Sequence, residues 1–127
     1  QFILNIASPE GFEPASSFLG RSSNVELYSS AEDAVNEVDL VVTDVWSSMG
    51  QTSKDTNKAE VFRPYQVNEQ LLELSDEGAI FMHCLPAHPG EEISAGLLDH
   101  KKSVVWQEAG NRLHTQKALL EFLLKPV

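Results

Sequence analysis

Apolar residues fall in short runs along the chain, each closed by a polar or turn-forming stretch. Phe2 to Ile6 alternate imperfectly and predict a first strand. SPEGFEP, Ser8 to Pro14, follows as a connection holding two prolines and one glycine. A short helix is predicted from Ala15 to Leu19, ended by Gly20, and Val25 to Tyr28 predict a second strand. Ser30 is placed to cap the next helix, with Asp33 where a full capping box has Glu or Gln. Ala31, Ala34, Val35 and Val38 give that helix an apolar face. Asp39 to Thr43, DLVVT, reads as a buried strand that discharges into the polar loop DVWSSMGQ, Asp44 to Gln51.

Thr52 to Glu60 predict a mobile polar loop leading into a short helix that stops near Pro64. Gln66 to Leu74 predict an amphipathic helix with Val67, Leu71, Leu72 and Leu74 apolar, Asn68 as a candidate cap and Gly78 as its breaker. The four apolar residues Ala79 to Met82 predict a buried strand running into His83, Cys84, Leu85 and Pro86, where the proline stops it. His88 to Gly96 reads as a loop, Gly96 to Asp99 as one helical turn, and Ser103 to Trp106, SVVW, as the last strand. Glu108 to Leu124 is a long helix whose broad apolar side comprises Ala109, Leu113, Ala118, Leu119, Phe122 and Leu123. Strands alternating with helices predict an α/β fold, a three-layer, Rossmann-like domain with a mainly parallel sheet flanked by helices. No GxGxxG follows the first strand, so a dinucleotide site has no support.

A chain of 127 residues fits one domain with a real core. It opens in the middle of an apolar run, which predicts a piece of a longer protein. The net charge of −10 disfavours nucleic acid and anionic membranes as partners, and no apolar run is long enough to cross a bilayer. The single cysteine cannot close an internal disulfide.

Chemistry gathers where the strands end. In a parallel sheet the carboxyl ends share one edge, and ligands bind there. The strand DLVVT delivers Asp44, Trp46, Ser47, Ser48 and Met49. The AIFM strand delivers His83 and Cys84, and SVVW is followed by Glu108, Asn111 and Arg112. An acid with a hydroxyl suits a substrate ammonium group, and an arginine suits phosphate or an oxygen gaining negative charge. A histidine can polarise a carbonyl. Gly50 gives the first loop a hinge, as a lid needs. Each residue alone also has a plain structural role. Asp44 can cap a turn, Met49 can fill a core, His83 can be a satisfied strand-end histidine, and Arg112 can pair with Glu108 one helical turn away. His83, Cys84 and His88 lack a fourth ligand and standard spacing, so no metal is expected. Glu91 and Glu92 read as solvated loop charge, and Trp46 and Trp106 as strand-end packing.

HCLP at 83–86, TDVWSSMGQ at 43–51 and EAGNR at 108–112, in that order and spacing, resemble the signature set of the ornithine carbamoyltransferases. The likeness runs from SPEGFEP through the final helix and implies that residues 1–127 are the ornithine-binding, carboxyl-terminal domain. HCLP is shared with relatives that use other amines; SMG is the more specific mark. The family's Ser-Thr-Arg-Thr and HPxQ blocks are absent, which implies a missing amino-terminal, carbamoyl-phosphate-binding domain. The family's Glu-Asn-Arg is Gly110-Asn111-Arg112 here, which predicts a looser Arg112. The stretch from Pro14 to Val25 implies a shortened helix away from the pocket.

The resemblance implies transfer of a carbamoyl group from carbamoyl phosphate to the δ-amine of L-ornithine, giving citrulline and phosphate without a cofactor. Asp44 and Ser48 would hold the α-amino group, and the Met49 N–H the α-carboxylate. Cys84 and the Leu85 carbonyl would lie beside the δ-amine, while His83 and Arg112 would bond the carbamoyl oxygen. The loop from Ser47 onward would close over ornithine. The family also implies a homotrimeric parent in the cytoplasm, or in an organelle matrix if eukaryotic, and a chain inactive without its other domain. Three other readings stand beside it: a carbamoyltransferase for putrescine or an acylated ornithine, a non-catalytic amino-acid-binding domain, and a Cys84–His83 hydrolase. Adjacent strand residues point to opposite faces, which argues against the last.

Overall fold

A computed structural model describes residues 2–19, 23–47 and 56–125. The α/β reading holds. The elements are β1 (Leu4–Ala7), α1 (Ser16–Leu19), β2 (Val25–Tyr28), α2 (Ala31–Val35), β3 (Leu40–Thr43), α3 (Thr56–Phe62), α4 (Glu69–Glu73), β4 (Ile80–His83) and α5 (Val105–Leu124). Single 3-10 turns cover Arg63–Tyr65 and Leu97–Asp99.

Local chemistry sets the helix starts. Ser30 Oγ accepts the Asp33 N–H at 3.1 Å at the head of α2, and Asn68 Oδ1 accepts the Leu71 N–H at 2.8 Å at the head of α4. The amphipathic segment begins its helix later than its periodicity predicts. Val67 is instead tied into a β-bridge with Ile93: its N–H donates to the Glu92 carbonyl and its own carbonyl accepts the Ser94 N–H, both at 2.9 Å.

Pairing is parallel throughout, but it forms two two-stranded ladders, β1–β2 and β3–β4. Leu4 N–H donates to the Asn24 carbonyl and Ile80 N–H to the Asp39 carbonyl. Backbone groups alternate sides along a strand, so those of Asn5 and Ala7, and of Leu40 and Val42, point away from the partner strands. These two open edges line one cleft of ≈ 1140 Å³. Asn5 spans part of it: its Nδ2 donates to the Ala34 carbonyl at 2.9 Å, while its buried Oδ1 has no partner among the described residues.

The core sits around β4. Phe81, Leu72, Ile93, Leu97 and Val105 are almost wholly buried, and burying each such side chain stabilises by about 1.5–3 kcal/mol. The SVVW segment is not a strand. Ser103 makes a single parallel bridge with Phe81, through Phe81 N–H to Lys102 carbonyl at 2.8 Å and Val104 N–H to Phe81 carbonyl at 2.9 Å, and α5 starts at Val105. Only Val105 of that run is buried; Trp106 is exposed, its Nε1–H donating to Asp99 Oδ1 at 3.2 Å. A short apolar run serves a buried helical turn as well as a strand. The broad apolar side of α5 is left uncovered among the described residues: Leu113, Leu119, Phe122 and Leu123 are all more than half exposed.

Candidate substrate site at the ends of β3 and β4

Thr43 lies opposite His83 in the β3–β4 register. The residues that follow, Asp44 and Cys84, therefore leave the ladder side by side. The Cys84 thiol donates to Asp44 Oδ1 at 3.2 Å, and the same oxygen accepts the Val45 N–H at 2.7 Å. Both side chains are exposed. The hydrogen bond to Asp44, then burial and the Asp44 charge, push the Cys84 thiol up from its ordinary pKa. The thiol is thereby kept protonated, the opposite of what a cysteine nucleophile needs.

His83 faces the other way. It is 1% exposed, and both ring nitrogens are engaged inside the chain. Nδ1 accepts the Leu85 N–H at 2.9 Å, which leaves the ring proton on Nε2, and Nε2 donates to Glu92 Oε1 at 3.2 Å. The expected donation from His83 to a substrate carbonyl is therefore not what this ring is arranged for. The hydrolase pair fails on the same geometry, since the thiol's partner is a carboxylate. Leu85 turns the chain at φ +54, ahead of a cis Leu85–Pro86 bond.

Glu92, read from the sequence as solvated charge, is fully buried. Its Oε1 also accepts the His88 N–H at 2.6 Å, and the His88 ring Nδ1 stands 3.7 Å from Oε2. No local signal marked it; two adjacent acids before an isoleucine usually belong to a surface loop. The ligand atoms of His88, Glu91 and Glu92 lie within 4.8 Å of one another; His88 and Glu91 are exposed, Glu92 Oε1 is committed to two donors, and Glu92 Oε2 is buried without a hydrogen-bond partner among the described residues.

Glu108 closes the site from α5, its Oε2 accepting the His83 N–H at 3.0 Å. It does not pair with Arg112, whose exposed side chain makes no hydrogen bond or ion pair among the described residues. Asp44, Cys84 and Leu85 are thus brought together at one edge, with Arg112 further along α5. Ser48 and Met49, and with them most of the expected flap, lie outside the described residues. Trp46 leaves the edge to pack on Phe62, ring centroids 5.9 Å apart.

The family model described as "Aspartate/ornithine carbamoyltransferase, Asp/Orn binding domain" matches residues 1–123. The ornithine carbamoyltransferase of Acinetobacter baumannii is 56% identical over 124 residues, covering 97% of this chain and 40% of the relative. That of Methylococcus capsulatus is also 56% identical, over 97% of this chain and 42% of the relative. Among solved structures, the ornithine carbamoyltransferase from Pyrococcus furiosus superposes with a TM-score of 0.86 at 41% identity, over 94% of this chain and 41% of that one. The chain thus spans about two fifths of the length of these relatives. It belongs to the aspartate/ornithine carbamoyltransferase family, in its Asp/Orn binding domain.

Proposed function

We propose that this chain is the L-ornithine-binding part of an ornithine carbamoyltransferase. The observation that carries the reading is the Asp44–Cys84 pair, joined at 3.2 Å where β3 and β4 end. An ionised carboxylate beside a protonated thiol favours a cationic amino acid while offering the incoming amine no covalent competitor. The net charge of −10 draws such a substrate in.

In the proposed reaction the neutral δ-amine attacks the carbamoyl carbon. A C–N bond forms, the C–O bond to phosphate breaks, and the proton lost by the amine passes to the departing phosphate. Asp44 and Ser48 hold the α-ammonium, and the Met49 N–H holds the α-carboxylate. Cys84 and the Leu85 carbonyl flank the δ-amine, while Arg112 bonds the carbamoyl oxygen as it gains charge. Orientation supplies most of the acceleration, and no cofactor takes part. Carbamoyl phosphate is held by a domain outside this chain, and the parent enzyme is a homotrimer of the cytoplasm, or of an organelle matrix in a eukaryote. The junction with the rest of the polypeptide lies at the open edges of β1 and β3, whose outward backbone groups have no ladder partner among the described residues and face one cleft.

Calorimetric titration with L-ornithine and L-norvaline tests the site. L-Ornithine is expected to bind better than putrescine, and Asp44→Ala to weaken it by at least about tenfold, as loss of a charge-assisted bond does. Equal affinity for putrescine sinks the α-amino-acid assignment. Citrulline formed by this chain alone sinks the half-site reading.

A further inference from the structure

A buried carboxylate that touches no substrate needs a reason, because removing it from water is costly unless its partners compensate. Glu92 is fully buried, one residue from the fully buried Ile93. Its backbone is pinned, since its carbonyl accepts the Val67 N–H at 2.9 Å and Ile93 bridges both Val67 and Pro89. From this fixed point its Oε1 accepts two hydrogen bonds, from His88 N–H at 2.6 Å and His83 Nε2–H at 3.2 Å.

We propose that Glu92 is a positioning residue that sets the Cys84–Leu85 turn by selecting the ring tautomer of His83. The consequence for substrate rests on the reading of Cys84 and Leu85 as the wall around the amine. A carboxylate only accepts, so the nitrogen facing it carries the proton. The other nitrogen, Nδ1, is then free to accept the Leu85 N–H at 2.9 Å. That bond matters because Leu85 sits at φ +54, a left-handed conformation that a branched side chain keeps only when its surroundings hold it. With the opposite tautomer two N–H groups face each other and the turn loses its tether. The Leu85 carbonyl and the neighbouring Cys84 thiol then lose their fixed direction. Glu108 holds the start of the same turn through the His83 N–H at 3.0 Å, so Glu92 and Glu108 grip His83 from ring and backbone.

The test uses the 127-residue chain, with nitrogen-15 NMR of the His83 ring and of the Leu85 amide. E92Q keeps a carbonyl acceptor and is expected to retain the Nε2–H tautomer and the Leu85 amide shift. E92M fills the same space without an acceptor, and is expected to mix the tautomers and move the Leu85 signal. L-Ornithine affinity should fall by more than about tenfold in E92M and less than about threefold in E92Q, the difference one hydrogen-bonded tether makes. A folded E92M with an unchanged tautomer and Leu85 signal overturns the proposal. If E92M does not fold, H83N against H83A decides: Asn can still accept the Leu85 N–H and should hold the turn, and equal behaviour of the two overturns the proposal. Absence of ornithine binding by the unmodified chain removes the ornithine reading alone, because the tautomer and amide signals are read without ligand.

Discussion

The Cys84 thiol donates a hydrogen bond to Asp44 across the ends of two parallel strands, at 3.2 Å. The bond ties the single cysteine to an acid that is itself fixed by the Val45 N–H. The hydrogen bond, burial and the Asp44 charge raise the thiol's pKa, so the folded state holds this proton where an unfolded chain has begun to lose it. The stability this contributes is present below the unfolded thiol pKa and is lost as pH rises through the higher folded value. Iodoacetamide labelling followed against pH should therefore show its midpoint above that of an unfolded chain. In D44N the midpoint should move down and labelling at neutral pH should quicken. A D44N midpoint equal to or above the original would show that the carboxylate does not control the thiol.

The two open strand edges give a second expectation. The amides of Asn5, Ala7, Leu40 and Val42 point out of their ladders, whereas those of Ile80 and Phe81 donate to the Asp39 and Lys102 carbonyls. Hydrogen exchange should be fast at the first four and slow at the last two. In the longer protein proposed above the first four should become protected, by at least about a hundredfold if a ladder bond covers them. Exchange equally fast in chain and parent would place the junction elsewhere. Parallel edges flanked by the exposed Phe2, Ile3 and Val42 also template self-association. V42K should lower the aggregate fraction in light scattering.

What the sequence disclosed was local. β2 was legible to the residue, and the Ser30 and Asn68 caps form as their side-chain chemistry dictates. The Asp44 and Cys84 edge followed from two apolar runs ending in polar residues, because parallel strands must discharge on one side. What stayed hidden depended on distant partners. Val67 left its helix to pair with Ile93, and Val105 found burial in a helix instead of a strand. Glu92 is buried because the bridge between Ile93 and the distant Val67 draws its loop inward, and the local sequence does not disclose that pairing. The apolar side of α5 is legible in the sequence yet exposed among the described residues, because burial needs a facing surface that periodicity does not supply.

Gly110 lies in the interior of α5, exposed, with nothing within 4 Å of where a Cβ would stand. Glycine there costs conformational entropy and repays no close approach. Gly110→Ala should raise stability by about 0.5–1 kcal/mol, read from thermal or urea unfolding. A lowered midpoint would mean that the backbone at this position needs a freedom the helix does not reveal.

Lys102 is the last residue to test, because it joins α4 to the turn that leads into α5. Its Nζ donates to the Leu72 carbonyl at 3.0 Å, to Ser75 Oγ at 3.0 Å and to the Asp76 carbonyl at 2.7 Å. The Leu72 carbonyl belongs to the end of α4, where helical partners run out, and Ser75 Oγ–H donates to it as well at 2.6 Å. The Lys102 carbonyl accepts the Phe81 N–H, so this one lysine spans α4 and β4. Lys102→Met keeps the stem and its packing but removes all three donors. The loss should be about 2 kcal/mol, the range for bonds from a charged donor in a partly buried setting. Because the Phe81 bond is made by backbone, the β4 amides should keep their order of protection while the Leu74 and Ala79 amides exchange faster. Unchanged stability in K102M would show that solvent serves these carbonyls as well as the lysine does.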